Sequence, residues 1–235
     1  HILINVPSGT YNESILLNTS WTILACDGDC MIDARGIDQR AVVIDNAVNT
    51  TLEGFTIPGD ATMYAGVIVT PSCAMVNVSA NTIYGMGLSN PSNDSPLAYG
   101  ILTYGNDQNE MPTELCLCDN DIFGILGSGI SLGSYSQDNL VSGNNIHDII
   151  PIDLDGNLIS IGIQAELAGS LKIVDNKFEN LAIASNMLLS QGSIGGDGLN
   201  TYQNVASYLT TTSPSYFEFL DDVDWWLAHV STSFD

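Results

Sequence analysis

A pattern recurs along this chain: a short strand of alternating side chains, two further residues, then Asn-x-apolar. It is seen in Ala74-Met75-Val76-Asn77-Val78-Ser79-Ala80-Asn81-Thr82-Ile83 and in Glu114-Leu115-Cys116-Leu117-Cys118-Asp119-Asn120-Asp121-Ile122. It returns in Leu140-Val141-Ser142-Gly143-Asn144-Asn145-Ile146 and in Leu171-Lys172-Ile173-Val174-Asp175-Asn176-Lys177-Phe178. An earlier copy, Leu52 to Ile57, keeps the spacing with Phe55 in place of the Asn. The closing apolar positions Ile57, Ile83, Ile122, Ile146 and Phe178 are separated by 26, 39, 24 and 32 residues. A base period of roughly 25 residues with loop insertions accounts for this, since three strands of about 3–6 residues and three bends need that length. Second strands opening on Gly-apolar lie between the Asn motifs, at Gly66-Val67, Gly100-Ile101, Gly129-Ile130 and Gly162-Ile163.

These features predict an all-β chain: a right-handed parallel β-helix (solenoid) with a C-terminal capping helix. Alternation sends Val76, Val78, Leu115, Leu117, Val141, Leu171 and Ile173 inward. The Asn at each bend tolerates left-handed backbone angles, and its amide can pair with the Asn one coil away. The competing architecture, a β-sandwich, calls for short hairpin turns that are scarce here. Residues 1–190 read as the solenoid. Residues 191–235 read as a Ser/Gly/Thr-rich connection and then an amphipathic helix. Ser215 and Glu218 fit a capping box, and Tyr216, Phe219, Leu220, Val223, Trp226, Leu227 and Val230 follow at helical spacing. That helix either closes the end of the solenoid or docks on a neighbouring copy, with Trp225 and Trp226 as its largest contacts.

The opening Val6-Pro7-Ser8-Gly9-Thr10-Tyr11-Asn12-Glu13-Ser14-Ile15, with Trp21-Thr22-Ile23-Leu24 and Met31-Ile32-Asp33-Ala34, resembles the first coils of pectin-lyase-like proteins. The later coils resemble the β-helix repeats of NosD-type periplasmic and archaeal cell-surface or sheath-type proteins. The resemblance spans roughly residues 1–190 and implies the fold. It does not imply one function, because that superfamily mixes lyases, hydrolases, esterases, adhesins and coat proteins. Its enzymes resemble one another in holding anionic sugars with cationic side chains. This chain has four, Arg35, Arg40, Lys172 and Lys177, against 27 acidic residues, for a net charge of −23. No catalytic set is matched residue by residue, so no catalytic residue is assigned and the chain is not expected to be an enzyme.

With 45% of residues hydrophobic and 13% charged, the chain is folded and apolar-cored rather than disordered. Its acidity disfavours nucleic acid and anionic lipid. No run is long and apolar enough for a membrane span. The first residues read as a strand without basic n-region or initiator Met, which suggests a processed, exported chain at the cell surface or outside it. Sequons at Asn12, Asn18, Asn49, Asn77 and Asn93 permit glycosylation without arguing for it.

No cofactor is expected. Ca²⁺ is conceivable at Cys26-Asp27-Gly28-Asp29-Cys30 or Asp153-Leu154-Asp155, though both also read as plain turns. Cys26 and Cys30 bracket a turn that can close as a disulfide. Cys116 and Cys118 alternate with inward leucines, so they either face outward towards a partner chain or, with the register off by one, are buried. The reading this supports is a surface, sheath or coat protein that associates with copies of itself. The alternative is a carbohydrate-binding or carbohydrate-active β-helix, in which Tyr64, Tyr84, Tyr99, Tyr104 or Tyr135 stacks on neutral sugars.

Overall fold

The computed structural model describes residues 1–87, 97–107, 109–154, 156–196, 198–212, 215–220 and 231–233. The chain winds as a parallel β-helix of three sheets. The first sheet takes the leading halves of β1 (Ile2–Tyr11), β3 (Thr22–Ile32) and β5 (Val48–Pro58). It continues through β7 (Ala74–Ser79), β10 (Cys116–Cys118), β14 (Leu140–Ser142), β20 (Leu171–Val174), β22 (Gln191–Gly195) and β24 (Tyr216–Leu220). The second takes the trailing halves of β1, β3 and β5, then β8 (Thr82–Tyr84), β11 (Asp121–Phe123), β15 (Asn145–His147) and the leading halves of β21 (Lys177–Leu188) and β23 (Thr201–Thr212). The third holds β2 (Ile15–Leu17), β4 (Arg40–Ile44), β6 (Ala65–Val69), β9 (Ala98–Thr103), β12 (Gly127–Leu132), β18 (Ile161–Glu166), the trailing halves of β21 and β23, and β25 (Ser231–Ser233). Successive strands in each sheet pair in parallel. Parallel pairing demands a long crossover between partners, and each coil supplies it by passing through the other two sheets.

Register puts like residues above like. Leu52, Val78, Leu117, Val141, Ile173 and Ile194 form one inward column. Ile57, Ile83, Ile122, Ile146 and Phe178 form another, and all of these side chains are fully buried. Removing an Ile of this kind from water contributes about 1.5–3 kcal/mol, and the column repeats the gain coil by coil. Gly66, Gly100, Gly129 and Gly162 face the second column. A Cβ on Gly100 would sit 2.6 Å from Ile122 Cγ2 and 2.6 Å from the Gly129 carbonyl oxygen, so the third sheet approaches the isoleucines only because these positions lack one.

Between the first and second sheets runs the asparagine ladder. Asn81 Nδ2 donates to Asn120 Oδ1 at 3.1 Å, Asn120 to Asn144 at 3.0 Å, Asn144 to Asn176 at 2.9 Å and Asn176 to Asn200 at 3.0 Å. Each Oδ1 also takes the preceding coil's bend amide, as Asn144 takes that of Asn120 at 3.0 Å. Phe55 occupies the rung before Asn81, and its amide donates to Asn81 Oδ1 at 3.0 Å.

The C-terminal capping helix expected from the sequence is not found, and no helix occurs among the described residues. Tyr216–Leu220, read above as opening that helix, is β24, paired in parallel with β22. Phe217 packs against the core. The edge of β22 offers a row of unpaired peptide groups, and ladder pairing there outweighs local helix propensity. Nor does the solenoid stop at residue 190: β22, β23 and β24 continue its sheets. Trp225 and Trp226 lie outside the described residues. An antiparallel hairpin, β16 (Ile152–Leu154) and β17 (Asn157–Ile159), leaves the coils. Ile152 and Ile159 pack with Tyr64, Ile68, Tyr99 and Leu102 in a second apolar cluster centred on the third sheet.

Candidate functional site

The sulfurs settle into local pairs. Cys26 is joined to Cys30, and Ser8 braces that bend by accepting the Asp29 amide at 3.1 Å. Asp27 and Asp29 point to solvent. Among the described residues no three His, Cys, Asp or Glu side chains converge as metal ligands. Leu115 and Leu117 are buried, so the register places the intervening sulfurs on the outer side of the strand. There Cys116 is joined to Cys118 rather than to another chain, and Cys118 is covered beside the Ser142 hydroxyl. Cys73 stays a free, buried thiol. Of the sequons, Asn12 and Asn18 are exposed, Asn49 and Asn77 are half-buried within strands, and Asn93 is outside the described residues.

The outer face of the second sheet carries a polar and aromatic stripe. Tyr84, Phe123 and His147 stack at centroid spacings of 5.1 and 5.0 Å. His147 Nδ1 lies 2.8 Å from Asp148 Oδ2, and Nε2 lies 3.2 Å from Asp121 Oδ1. The bond from His147, and then that from Asn180, hold the Asp148 carboxyl below the usual carboxylate range. Lys177 pairs with Glu179 at 2.6 Å. Arg35 pairs with Asp33 at 2.6 Å, and Arg40 with Asp38 at 3.0 Å. Each of these cations is matched by its neighbour, and the stacked rings cover each other's faces. The stripe completes itself.

The five tyrosines considered for sugar stacking divide sharply. Tyr64 and Tyr99 are buried in the second apolar cluster, and burial raises the pKa of the Tyr64 hydroxyl. Tyr84 is spent in the stack. Tyr104, 37% exposed, and Tyr135 both stand at the corner where the chain leaves the third sheet for the first.

That corner holds two open hollows. Tyr104 lines one of about 460 Å³ together with Asp45, Asn46, Ser72, Asn106 and Glu110. Asp45 accepts the Thr70 hydroxyl at 2.6 Å, and Glu110 accepts the Asn106 amide at 2.9 Å. Tyr135 lines the other, of about 440 Å³, with Ser136, Gln137, Leu167, Leu189 and Gln191. The strand ends that build them belong to six successive third-sheet strands, β4, β6, β9, β12, β18 and β21. At an inter-strand spacing of about 4.8 Å, the corner runs for about 24 Å. Its backbone turns through left-handed residues: Tyr135 has φ 62°, Leu167 53° and Leu189 50°. Such angles cost a non-glycine residue about 1–2 kcal/mol each, and they recur at bends along the solenoid, as at Met75, Ala80, Glu114 and Asp175. Among the described residues no Lys, Arg or His side chain lines either hollow.

Fold and site together define an all-β protein of the parallel β-helix class. Its two disulfides suit an oxidising, extracytoplasmic compartment. No family model matches the sequence, and no curated protein matches it as a relative. Solved structures do share the fold. A periplasmic alginate epimerase, AlgG, superposes with a TM-score of 0.55 at 14% identity, over 92% of this chain and 51% of the epimerase. The surface adhesin PfbA of Streptococcus pneumoniae gives 0.59 at 10% identity, over 94% of this chain and 78% of the adhesin. A DFA-IIIase of Arthrobacter chlorophenolicus gives 0.53 at 14%, over 92% and 58%. The chain spans about half the length of the alginate epimerase AlgG. Such likeness establishes architecture alone.

Proposed function

We propose that this is an extracytoplasmic carbohydrate-binding β-helix, and that its glycan lies along the corner between the third and first sheets. One observation carries the reading: Tyr104 and Tyr135, set on adjacent coils, each line an open hollow on the same corner, while Tyr64 and Tyr99 are buried and Tyr84, half-buried, stacks on Phe123. An aromatic ring beside a row of amides and hydroxyls suits a sugar, which offers C–H faces and hydroxyl edges together. A solenoid corner repeats at each coil and so suits a repeating ligand. The β-helix neighbours include a periplasmic alginate epimerase and a surface adhesin, so the scaffold serves both turnover and attachment. With no Lys, Arg or His among the described residues of either hollow, we read this corner as one of attachment. The sheath reading drew on sulfurs open to a second chain, and the Cys116–Cys118 pairing withdraws that support.

The test is affinity electrophoresis of the full chain through gels holding a panel of polysaccharides. At least one should retard it. Tyr104→Ala and Tyr135→Ala should each weaken retention about tenfold, the ~1.4 kcal/mol expected of one aromatic contact. Free migration in every gel, or retention that neither substitution changes, defeats the proposal.

A further inference from the structure

Chemistry differs between the two hollows. The one at Tyr104 carries two carboxylates, Asp45 and Glu110. The one at Tyr135 has, among the described residues, no Asp, Glu, Lys, Arg or His in its lining. One part of that lining is apolar, from Leu167 and from Leu189, which is 43% exposed. The rest is polar and uncharged, from Gln137, Gln191 and Ser136. Ser136 is only 1% exposed, and its hydroxyl has no hydrogen-bond partner. That oxygen is enclosed, in register with the buried Ala168, so Ser136 borders the hollow without offering its hydroxyl to it. Long-range charge adds a constraint. The chain carries −23, and Arg35, Arg40 and Lys177 are each neutralised by an adjacent carboxylate.

We infer that the Tyr135 hollow is a subsite for one uncharged pyranose unit of the glycan. The sugar's C–H face lies on Leu167 and Leu189. Its hydroxyls bond to the exposed Gln137 and Gln191 amides. The chain then runs along the corner towards Tyr104, where Asp45 and Glu110 turn away uronate units by like-charge repulsion. This assignment rests on the glycan-binding reading and specifies its ligand class.

Calorimetric titration of the intact chain separates the two. The probes are neutral oligosaccharides of glucose, mannose, xylose and N-acetylglucosamine, and the uronic oligosaccharides of galacturonate and mannuronate. Leu189→Asn removes the apolar wall while keeping a residue that accepts φ near 50°. Gln191→Ala removes an amide from an exposed position. Circular dichroism verifies that both variants remain folded. The expected result is binding of a neutral oligosaccharide, at least tenfold weaker in both variants, and at least tenfold weaker binding of every uronic oligosaccharide. Preference for a uronic oligosaccharide overturns the subsite and leaves the glycan reading standing. So does neutral binding that both variants retain within twofold. Binding of neither class overturns both.

Discussion

Asn144 shows what a single side chain does in this molecule. Its Oδ1 takes the Asn120 amide and the Asn120 side chain, and its Nδ2 reaches the Leu117 carbonyl at 2.8 Å and Asn176 Oδ1 at 2.9 Å. All of this is buried, so no water stands ready to substitute. Asn144→Ala should lower the unfolding free energy by about 3 kcal/mol or more, since each orphaned buried group costs about 1–3 kcal/mol. Urea denaturation would register it as a lower midpoint with an unchanged slope. A loss under 1 kcal/mol would mean that the ladder is ornamental. The pairing of this rung was legible in the sequence, because Asn followed by x-apolar after an alternating strand marks a partner one period away; the left-handed residue of each bend is not that Asn but the one before it, Ala80, Asp119, Gly143 and Asp175. The unpaired Ser136 hydroxyl was not legible, because nothing in Tyr135-Ser136-Gln137 announces which of the three is enclosed.

Among elements, the strands were legible and the loops were not. Inward positions such as Val78, Leu117 and Val141 follow from alternation, which a sheet enforces at every second residue. The segment at Tyr216 misled because five residues with Tyr216, Phe219 and Leu220 satisfy a helical spacing and a strand equally well. The outcome was decided by the waiting edge of β22, which is a property of the assembled solenoid. The two hollows depend on how residues 104–107 and 109–113 fold against 133–137, as where the Gly105 amide meets the Ser134 carbonyl at 2.6 Å, and local sequence carries no trace of that. The loop between β3 and β4 gives an element-level prediction. Asp33 holds the Arg35 amide at 3.2 Å and Asp38 holds that of Arg40 at 3.1 Å. Both carboxyls lie below their ordinary value of 3.8, chiefly through the side-chain bonds from Arg35 and Arg40. A depressed carboxyl stabilises the fold above its unfolded-state pKa and loses that contribution as pH falls through the lower, folded value. Protection of the Arg35 and Arg40 amides from hydrogen exchange should therefore persist at pH 5, still hold near the ordinary value of 3.8, and be lost only as pH falls through the lower folded values. Protection that survives full protonation would show that the carboxylates do not hold this loop.

At the scale of the whole molecule, a chain with 27 acidic residues winds around a long apolar core. Like charges on a compact body repel, and added salt screens them within about 10 Å at 0.1 M. The melting temperature should rise as sodium chloride goes from about 10 mM to 0.1 M and beyond; a fall would mean that the local ion pairs outweigh the summed repulsion. The core itself is built of near-identical layers, each touching only the next, so stability is nearly a sum of neighbour terms. The ladder of Asn81, Asn120, Asn144, Asn176 and Asn200 adds an arrow to that stack. Asn120, Asn144 and Asn176 each hand a hydrogen forward and accept one from behind, and such one-way chains polarise their members. A rung at either terminus has one neighbour and a rung in the middle has two. Pulled from its ends, this chain should come apart like a zip with a grain, peeling one layer at a time and holding hardest at the inner rungs, Asn120, Asn144 and Asn176.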